Sequence, residues 1–214
     1  KDGADRGDLA WLFDHGNASR NDFLVVSQLT IDDGQNRRRP DLVLYVNGLP
    51  LAVIEFKSPS DPNATIEGAH NQLQLYKEQV PALFATNEVL VVSDGTEARV
   101  GSLTAGFERF GPWRTIDGAA LAPDALPRLQ VLLHGLFEPR RFLDYIRHFV
   151  LWEADDAGSA QGRASGGLTK KIAGYHQYHA VNKAVAATVR ASSAAGDQRI
   201  GVVWHTQGSG KSIS

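Results

Sequence analysis

The sequence contains no cysteine. That excludes a disulfide-stapled scaffold and any thiolate metal centre, and it agrees with a cytoplasmic location. Methionine is absent too, even at the first position, which is Lys1. The chain is therefore expected to be a fragment or a partly recorded one. No apolar run is long enough to span a bilayer, and no charged, apolar, small-residue leader opens the sequence. An excess of charge is missing as well: 22 Lys and Arg stand against 24 Asp and Glu, a net charge of −2. Such a balance lacks the overall basic character usual in nucleic-acid binders. A nuclease domain is acidic where it holds metal, however, so a near-neutral total does not exclude DNA. What remains is ordinary for a globular protein, with 214 residues, 43% hydrophobic and 21% charged. That length supports one good core, or a domain and the start of another.

The most informative stretch is 39–57, RPDLVLYVNGLPLAVIEFK. It reads as two apolar strands, 42–46 and 51–56, folded back on each other around Asn47-Gly48. Both turn residues tolerate the positive φ of a tight primed turn, which makes Asn-Gly between apolar runs a strong hairpin signal. A loop of two or three residues sets Asp41 opposite Ile54 or Glu55, so two carboxylates meet at one end of the hairpin. Side chains alternate along a strand, so Glu55 and Lys57 share a face and Phe56 turns away. Charged residues ending a hairpin are common surface features. Here, though, Leu51-Ala52-Val53-Ile54 is apolar on both faces, as in a strand buried on both sides. A carboxylate and an ammonium at the end of such a strand must be paired, metal-bound or functional. Just upstream, Arg37-Arg38-Arg39 reads either as a solvated loop or as a phosphate clamp beside the acids.

Pro40-Asp41, then Glu55-x-Lys57, then Gln72-x-x-x-Tyr76 on the next helical segment, resembles the PD-(D/E)xK nuclease signature with its QxxxY extension. The wording RPDLVLYVNGLPLAVIEFKSP and VVSDGTEARVGSL is similar to the nuclease domain of the restriction (motor) subunit of type I restriction–modification enzymes. The likeness runs from about residue 20 to the end. It implies catalytic roles for Asp41, Glu55 and Lys57, with Mg²⁺ held by Asp41, Glu55 and the Phe56 carbonyl. Gln72 and Tyr76, four apart and so neighbours on one helix face, would line the DNA phosphates. Asp14 or Asp22 could supply the extra upstream acid of some members.

Elsewhere the apolar patch at residues 9–13 reads as helical and packed on the domain, 23–31 as a strand and 32–39 as a loop. Residues 58–63 hold two prolines and read as a loop; 64–79 show helical spacing through Ile66, Ala69, Leu73 and Tyr76. A strand at 88–93 turns at Asp94-Gly95 into 98–103. The aromatic stretch 107–117 reads as a core flap rather than a base-stacking surface. Two amphipathic helices follow, 126–137 and 140–152, with Pro127 and Pro139 at their starts. Residues 153–169 are rich in Gly, Ala, Ser and Asp without periodicity, as in a linker.

Residues 170–191 read as a helix with Val181, Val185 and Val189 on one stripe. His176 and His179 share that helix but have no third ligand in register. Residues 199–204 (RIGVVW) read as a buried strand running into TQGSGKS. Strand, glycine loop and Lys-Ser form the context of a phosphate-binding loop, in which backbone N–H groups of Gly208, Ser209 and Gly210 cradle phosphates. Lys211 would reach the β/γ-phosphates and Ser212 would ligate Mg²⁺. His205 replaces the first glycine of the general pattern, whereas TQGSGKS is close to the form in type I motor subunits. The same resemblance gives Gln177 the adenine edge of ATP, since an amide both donates and accepts.

The expected architecture is α/β: a PD-(D/E)xK restriction-endonuclease-like mixed sheet flanked by helices, then the start of a RecA-like P-loop domain. Residues 1–155 would form the endonuclease domain, 156–169 a linker, and 170–214 the first edge of an ATP-driven helicase-like translocase. The resemblance further implies double-stranded DNA as substrate, and methyltransferase and specificity subunits as partners. Two rival classes are a nuclease–helicase of DNA repair or modified-DNA restriction without a methyltransferase, and a non-catalytic assembly or DNA-binding module.

Overall fold

The computed structural model describes residues 11–58, 65–154 and 167–204. Along the chain lie strand β1 (Phe23–Ser27), the short strands β2 (Ile31–Asp33) and β3 (Asn36–Arg38), then β4 (Leu42–Val46) and β5 (Leu49–Phe56). Helix α1 (Ile66–Gln79) precedes β6 (Val89–Ser93) and β7 (Ala98–Gly101). Helices α2 (Arg128–Leu136) and α3 (Pro139–His148) follow, then β8 (Val150–Ala154), β9 (Leu168–Ile172) and α4 (Tyr175–Ala191).

The main sheet has the order β1-β4-β5-β6-β7. Its single parallel pair is β5 with β6; the other pairings are antiparallel. Parallel neighbours need a crossover, which α1 supplies. Alternation along the strands then sorts the core. Val43, Val53, Leu90 and Val92 pack with Ala69, Leu73 and Tyr76 of α1. Ile54, Val91 and Val100 pack on the other face with Leu132, Leu136, Phe142 and Tyr145 of α2 and α3. The chain is therefore a mixed sheet flanked by helices. Among the described residues no helix is long and apolar enough to cross a membrane.

The β4–β5 hairpin turns at Asn47 (φ 51°) and Gly48 (φ 81°), both left-handed as a two-residue primed turn requires. Asn47 is also pinned from outside: its Nδ2 donates to the Leu12 carbonyl at 2.7 Å, and its Oδ1 accepts from the Asp22 N–H at 2.8 Å. Near the turn Val46 pairs with Leu49 and Tyr45 with Pro50, but the register slips between Leu44 and Tyr45, so that Leu44 faces Ala52 and Leu42 faces Ile54. An unslipped hairpin would set Asp41 against Ile54. The slip leaves Leu51 over, lets Leu51 and Ala52 both enter one core, and sets Asp41, one step past Leu42, against Glu55.

Several local expectations are corrected. The strand expected at 23–31 ends at Ser27, because Gln28 bends the chain with a left-handed φ of 53°. Within the loop expected at 32–39, β2 and β3 form a ribbon around Gly34 (φ 60°). Trp11 and Leu12 are exposed and not helical; among the described residues of that patch Phe13 alone packs against the core, and Leu9 and Ala10 fall outside the described residues. The helices expected over 140–152 and 170–191 give up residues to β8 and β9, which pair from Val150↔Ile172 to Ala154↔Leu168. Within the stretch read as a linker, 153–154 and 168–169 thus lie in paired strands, and 155–166 fall outside the described residues. Lys170 is buried, with its ammonium 2.6 Å from Glu88, and Tyr178 of α4 joins the α2–α3 core. No strand forms at 199–204, where Val202 and Trp204 are almost fully exposed and nothing among the described residues offers a ladder. The aromatic flap behaves as expected: Phe110 and Trp113 are buried.

Candidate active site

The C-terminal end of β5 lies under α1, and there the sequence-derived residues converge. Glu55 continues the face of Val53 and is 2% exposed. The Asp41 carboxylate comes in from the start of β4. Its Oδ2 accepts the Phe56 backbone N–H at 2.8 Å, so the two strand ends are joined through the acid itself. Its Oδ1 accepts from Gln28 Nε2 at 2.6 Å, and its carbonyl from the Gln28 N–H at 2.9 Å. Lys57 extends the parallel ladder by donating its N–H to the Ser93 carbonyl at 2.8 Å.

Helix α1 is oriented by Thr65, whose hydroxyl accepts from the Gly68 N–H at 3.0 Å as an N-cap. This capping presents Gln72 and Tyr76 on the face toward β5. Gln72 is the hub: its Oε1 accepts from the Lys57 ammonium and its Nε2 donates to the Tyr76 hydroxyl. At the helix end, Gln79 Oε1 accepts from Arg38. Arg37 makes only an exposed ion pair with Asp32 at 3.5 Å, and Arg39 is exposed. The basic cluster therefore splits into one anchored guanidinium and two at the surface, on the chain leading into Asp41.

Electrostatics mark Glu55 out. Burial first, and the Asp41 charge second, push its carboxyl up from 4.5 to about 7, against the opposing pull of Lys57 and of hydrogen bonds from the Asp41 backbone and Gln72. One of its oxygens, Oε2, is buried without a hydrogen-bond partner. A buried carboxylate oxygen left unpaired is expensive. Burial likewise raises the Tyr76 hydroxyl, so it remains protonated and able to donate.

Asp41 and Glu55 offer a hard, all-oxygen donor pair, the kind that suits Mg²⁺ or a similar divalent ion rather than zinc. The unpaired Glu55 Oε2 fits that use, since a cation would satisfy it. Among the described residues no group of three or more His, Cys, Asp or Glu could hold a metal, so the remaining positions would fall to the Phe56 carbonyl, water and substrate. Neither upstream acid joins the site. Asp22 flanks Asn47 at the turn end of the hairpin, roughly 20 Å away by strand rise. Asp14 sits at that same end, where Gly16 and Asn17 N–H groups and Arg20 engage its carboxylate. His179 packs on Trp113 and Tyr178, and burial pushes it down to about 4.

Of the expected nucleotide residues, Gln177 alone falls within the described part of the chain. Gln177 Oε1 accepts from the Gly174 N–H at 2.7 Å and caps α4. Gly208, Ser209, Gly210, Lys211 and Ser212 lie outside the described residues. One residue of the carboxylate site, Gln28, escaped the sequence reading altogether. It sits in a strand-like run, and nothing local in SQLT announces that its amide reaches Asp41.

A buried Glu55 and a half-buried Asp41, with an ammonium nearby at a strand end, form a set of oxygen donors whose chemistry suits a divalent ion. The family is set by comparison: the model for the type I restriction enzyme R protein N terminus matches residues 1–109, and the chain belongs to that family. A second model, for SWI2/SNF2 ATPases, matches residues 176–214. The endonuclease subunit of the type I restriction enzyme HindI from Haemophilus influenzae is 46% identical over all of this chain and 20% of its own length. The putative MjaIXP endonuclease subunit from Methanocaldococcus jannaschii is 33% identical over 95% of this chain and 20% of its own length. A Staphylococcus aureus endonuclease subunit, SauCOLORF180P, is 24% identical over 91% of this chain and 19% of its own length. The chain thus spans about a fifth of the length of these curated relatives.

Proposed function

We propose that this chain is the N-terminal part of a type I restriction enzyme endonuclease subunit, carrying its Mg²⁺-dependent nuclease site for double-stranded DNA. The observation that carries the reading is the buried, unpartnered Glu55 Oε2 beside Asp41, with the Lys57 ammonium held close by Gln72. The family match and the endonuclease names of the relatives support it. The α/β sheet with its single parallel pair at β5–β6 is compatible with the PD-(D/E)xK nuclease fold.

In this reading Asp41, Glu55 and the Phe56 carbonyl hold the ion. A hard divalent cation there supplies the Lewis acidity that phosphodiester hydrolysis needs. The protein contributes position and charge. The Phe56 N–H fixes one oxygen of Asp41 and so ties the acid to the strand that carries Glu55. Lys57, fixed by Gln72, places a positive charge where negative charge develops on the phosphate during cleavage. Tyr76 and Gln72 present polar groups toward the phosphate backbone. Arg37 and Arg39, exposed on the run into Asp41, supply the sequence-independent part of DNA binding.

Residues 1–155 are proposed as the nuclease unit, with β9 and Tyr178 of α4 packed onto it, and the chain running on to residue 214 as the opening of a RecA-like motor that uses ATP to translocate DNA before cleavage. The SWI2/SNF2 match over 176–214 supports the last of these. Gln177, the glycine loop, Lys211 and Ser212 are its proposed ATP contacts, Ser212 adding a Mg²⁺ ligand. Methyltransferase and specificity subunits are the proposed partners, and they would read the recognition sequence.

The test uses the full-length subunit in its complex. Asp41→Ala, Glu55→Ala and Lys57→Ala should each abolish DNA cleavage while leaving ATP hydrolysis intact, and Lys211→Ala should abolish both. Cleavage that survives Asp41→Ala or Lys57→Ala in Mg²⁺ would refute the nuclease assignment.

A further inference from the structure

Gln28 has a conformation that its surroundings do not require for chain reversal. It follows the last residue of β1, Ser27, which pairs with Leu42. The chain there bends without a glycine, and Gln28 takes a φ of 53°. Among the described residues only Asn47 and Gln198 share this feature, and Asn47 sits in a tight hairpin turn that demands it. Left-handed backbone is unfavourable for a residue carrying a Cβ, and persists only where the surroundings impose it. Gln28 is moreover exposed, so burial does not hold it.

What holds it is Asp41. The Gln28 N–H donates to the Asp41 carbonyl at 2.9 Å and the side-chain amide to Asp41 Oδ1 at 2.6 Å. The opposite oxygen, Oδ2, takes the Phe56 N–H at 2.8 Å. Donors from two flanking strands therefore clamp both oxygens of one carboxylate. Each carboxylate oxygen has two lone-pair positions. One N–H on each leaves one position per oxygen open while removing the freedom of the group to rotate. The amide is neutral and does not titrate, so it fixes the carboxylate without cancelling the charge that attracts a cation.

We propose that Gln28 is a positioning residue for the divalent-ion site, holding Asp41 in the orientation that faces Glu55. The inference rests on the metal-site reading above and adds to it a residue that touches neither ion nor DNA. Hydrogen-bond partners of metal-ligating side chains typically sustain 10- to 100-fold of metal affinity. Loss of the Gln28 amide should therefore weaken binding about tenfold.

The experiment is a Mn²⁺ titration of the full-length subunit without nucleotide, read by electron paramagnetic resonance, for wild type, Gln28→Ala, Gln28→Gly and Asp41→Asn. Melting in chelator is measured in parallel. Asp41→Asn should lose the nuclease-domain Mn²⁺ site. Both Gln28 variants should bind that ion about tenfold more weakly. Gln28→Gly relieves the left-handed strain and should melt no lower than Gln28→Ala. Cleavage by Gln28→Gly should need correspondingly more Mg²⁺ and recover at saturation. Gln28→Gly binding Mn²⁺ like wild type, with Asp41→Asn deficient, would overturn the role of Gln28 alone. Mn²⁺ binding unchanged in Asp41→Asn would instead overturn the metal site on which it rests.

Discussion

Glu55 makes the metal-free protein lose stability as pH rises from 4.5 to about 7, in a way that can be worked out in advance. Its carboxyl stands near 4.5 in the unfolded chain and about 7 in the folded one. Below pH 4.5 it is protonated in both states, and the folded state bears no penalty. As pH rises past 4.5 the unfolded chain releases the proton and the folded one keeps it, so stability declines with pH. The decline ends once pH passes about 7, where both states are ionised. At about 1.4 kcal/mol for each tenfold change in proton affinity, the whole effect is about 3 kcal/mol. For a domain of this size that corresponds to a fall in Tm of about 6–12 °C. Glu55→Gln mimics the neutral acid, so in chelator its melting should be nearly flat in pH across this window. It should exceed wild type at pH 8.5 and stand only about 2–3 °C above it at pH 5. Millimolar Mg²⁺ should restore wild type at pH 8.5 and leave Glu55→Gln unchanged, because the ion binds the ionised pair. Scanning calorimetry of the chain between pH 5 and 8.5, with and without Mg²⁺, reads all four conditions. A wild-type Tm independent of pH in chelator, or a Glu55→Gln variant less stable than wild type at pH 8.5, would refute the claim that a buried carboxylate with one unpaired oxygen waits for a cation.

Gly48 has a φ of 81° and open space where a Cβ would stand, so Gly48→Ala should destabilise by backbone strain alone, about 1 kcal/mol or 2–4 °C in Tm. Gly111→Ala, equally open but without a positive φ, is the control and should leave the melting unchanged. Arg37→Ala combined with Arg39→Ala should weaken DNA binding by the full-length subunit equally for all sequences. It should also flatten the slope of log K against log salt by about 2, one phosphate for each guanidinium. An unchanged slope would return both residues to the solvated surface.

The hairpin was legible because its chemistry is local. Asn47 and Gly48 are the residues that a left-handed two-residue turn selects, and the apolar runs beside them have strand character. Which residue faces Asp41 was not legible. The slip between Leu44 and Tyr45 depends on Leu51 and Ala52 both packing into the core beside α2 and α3, a demand made by distant chain. The same distance hid β8 and β9. Helical spacing over 140–152 and 170–191 is genuine for most of its length, and the ends become strands only because they meet each other across residues 155–166. Asp41, Glu55, Lys57, Gln72 and Tyr76 came together as their motif suggested, since strand alternation and the i, i+4 repeat of a helix are both readable in one dimension. The partner of Asp41 across the sheet, Gln28, depends on strand order and a left-handed bend, and neither leaves a mark in the residues around it.

The central claim is that Asp41 and Glu55 share a divalent ion with Lys57 alongside. Its most direct test is a crystal of the protein soaked in Mn²⁺ above pH 7.5, with diffraction collected at the manganese edge. The account predicts one anomalous peak in contact with both the Asp41 and the Glu55 carboxylates, with the Glu55 Oε2 now ligated. An empty site, or a peak held by other residues while Glu55 Oε2 is still unpaired, would contradict it.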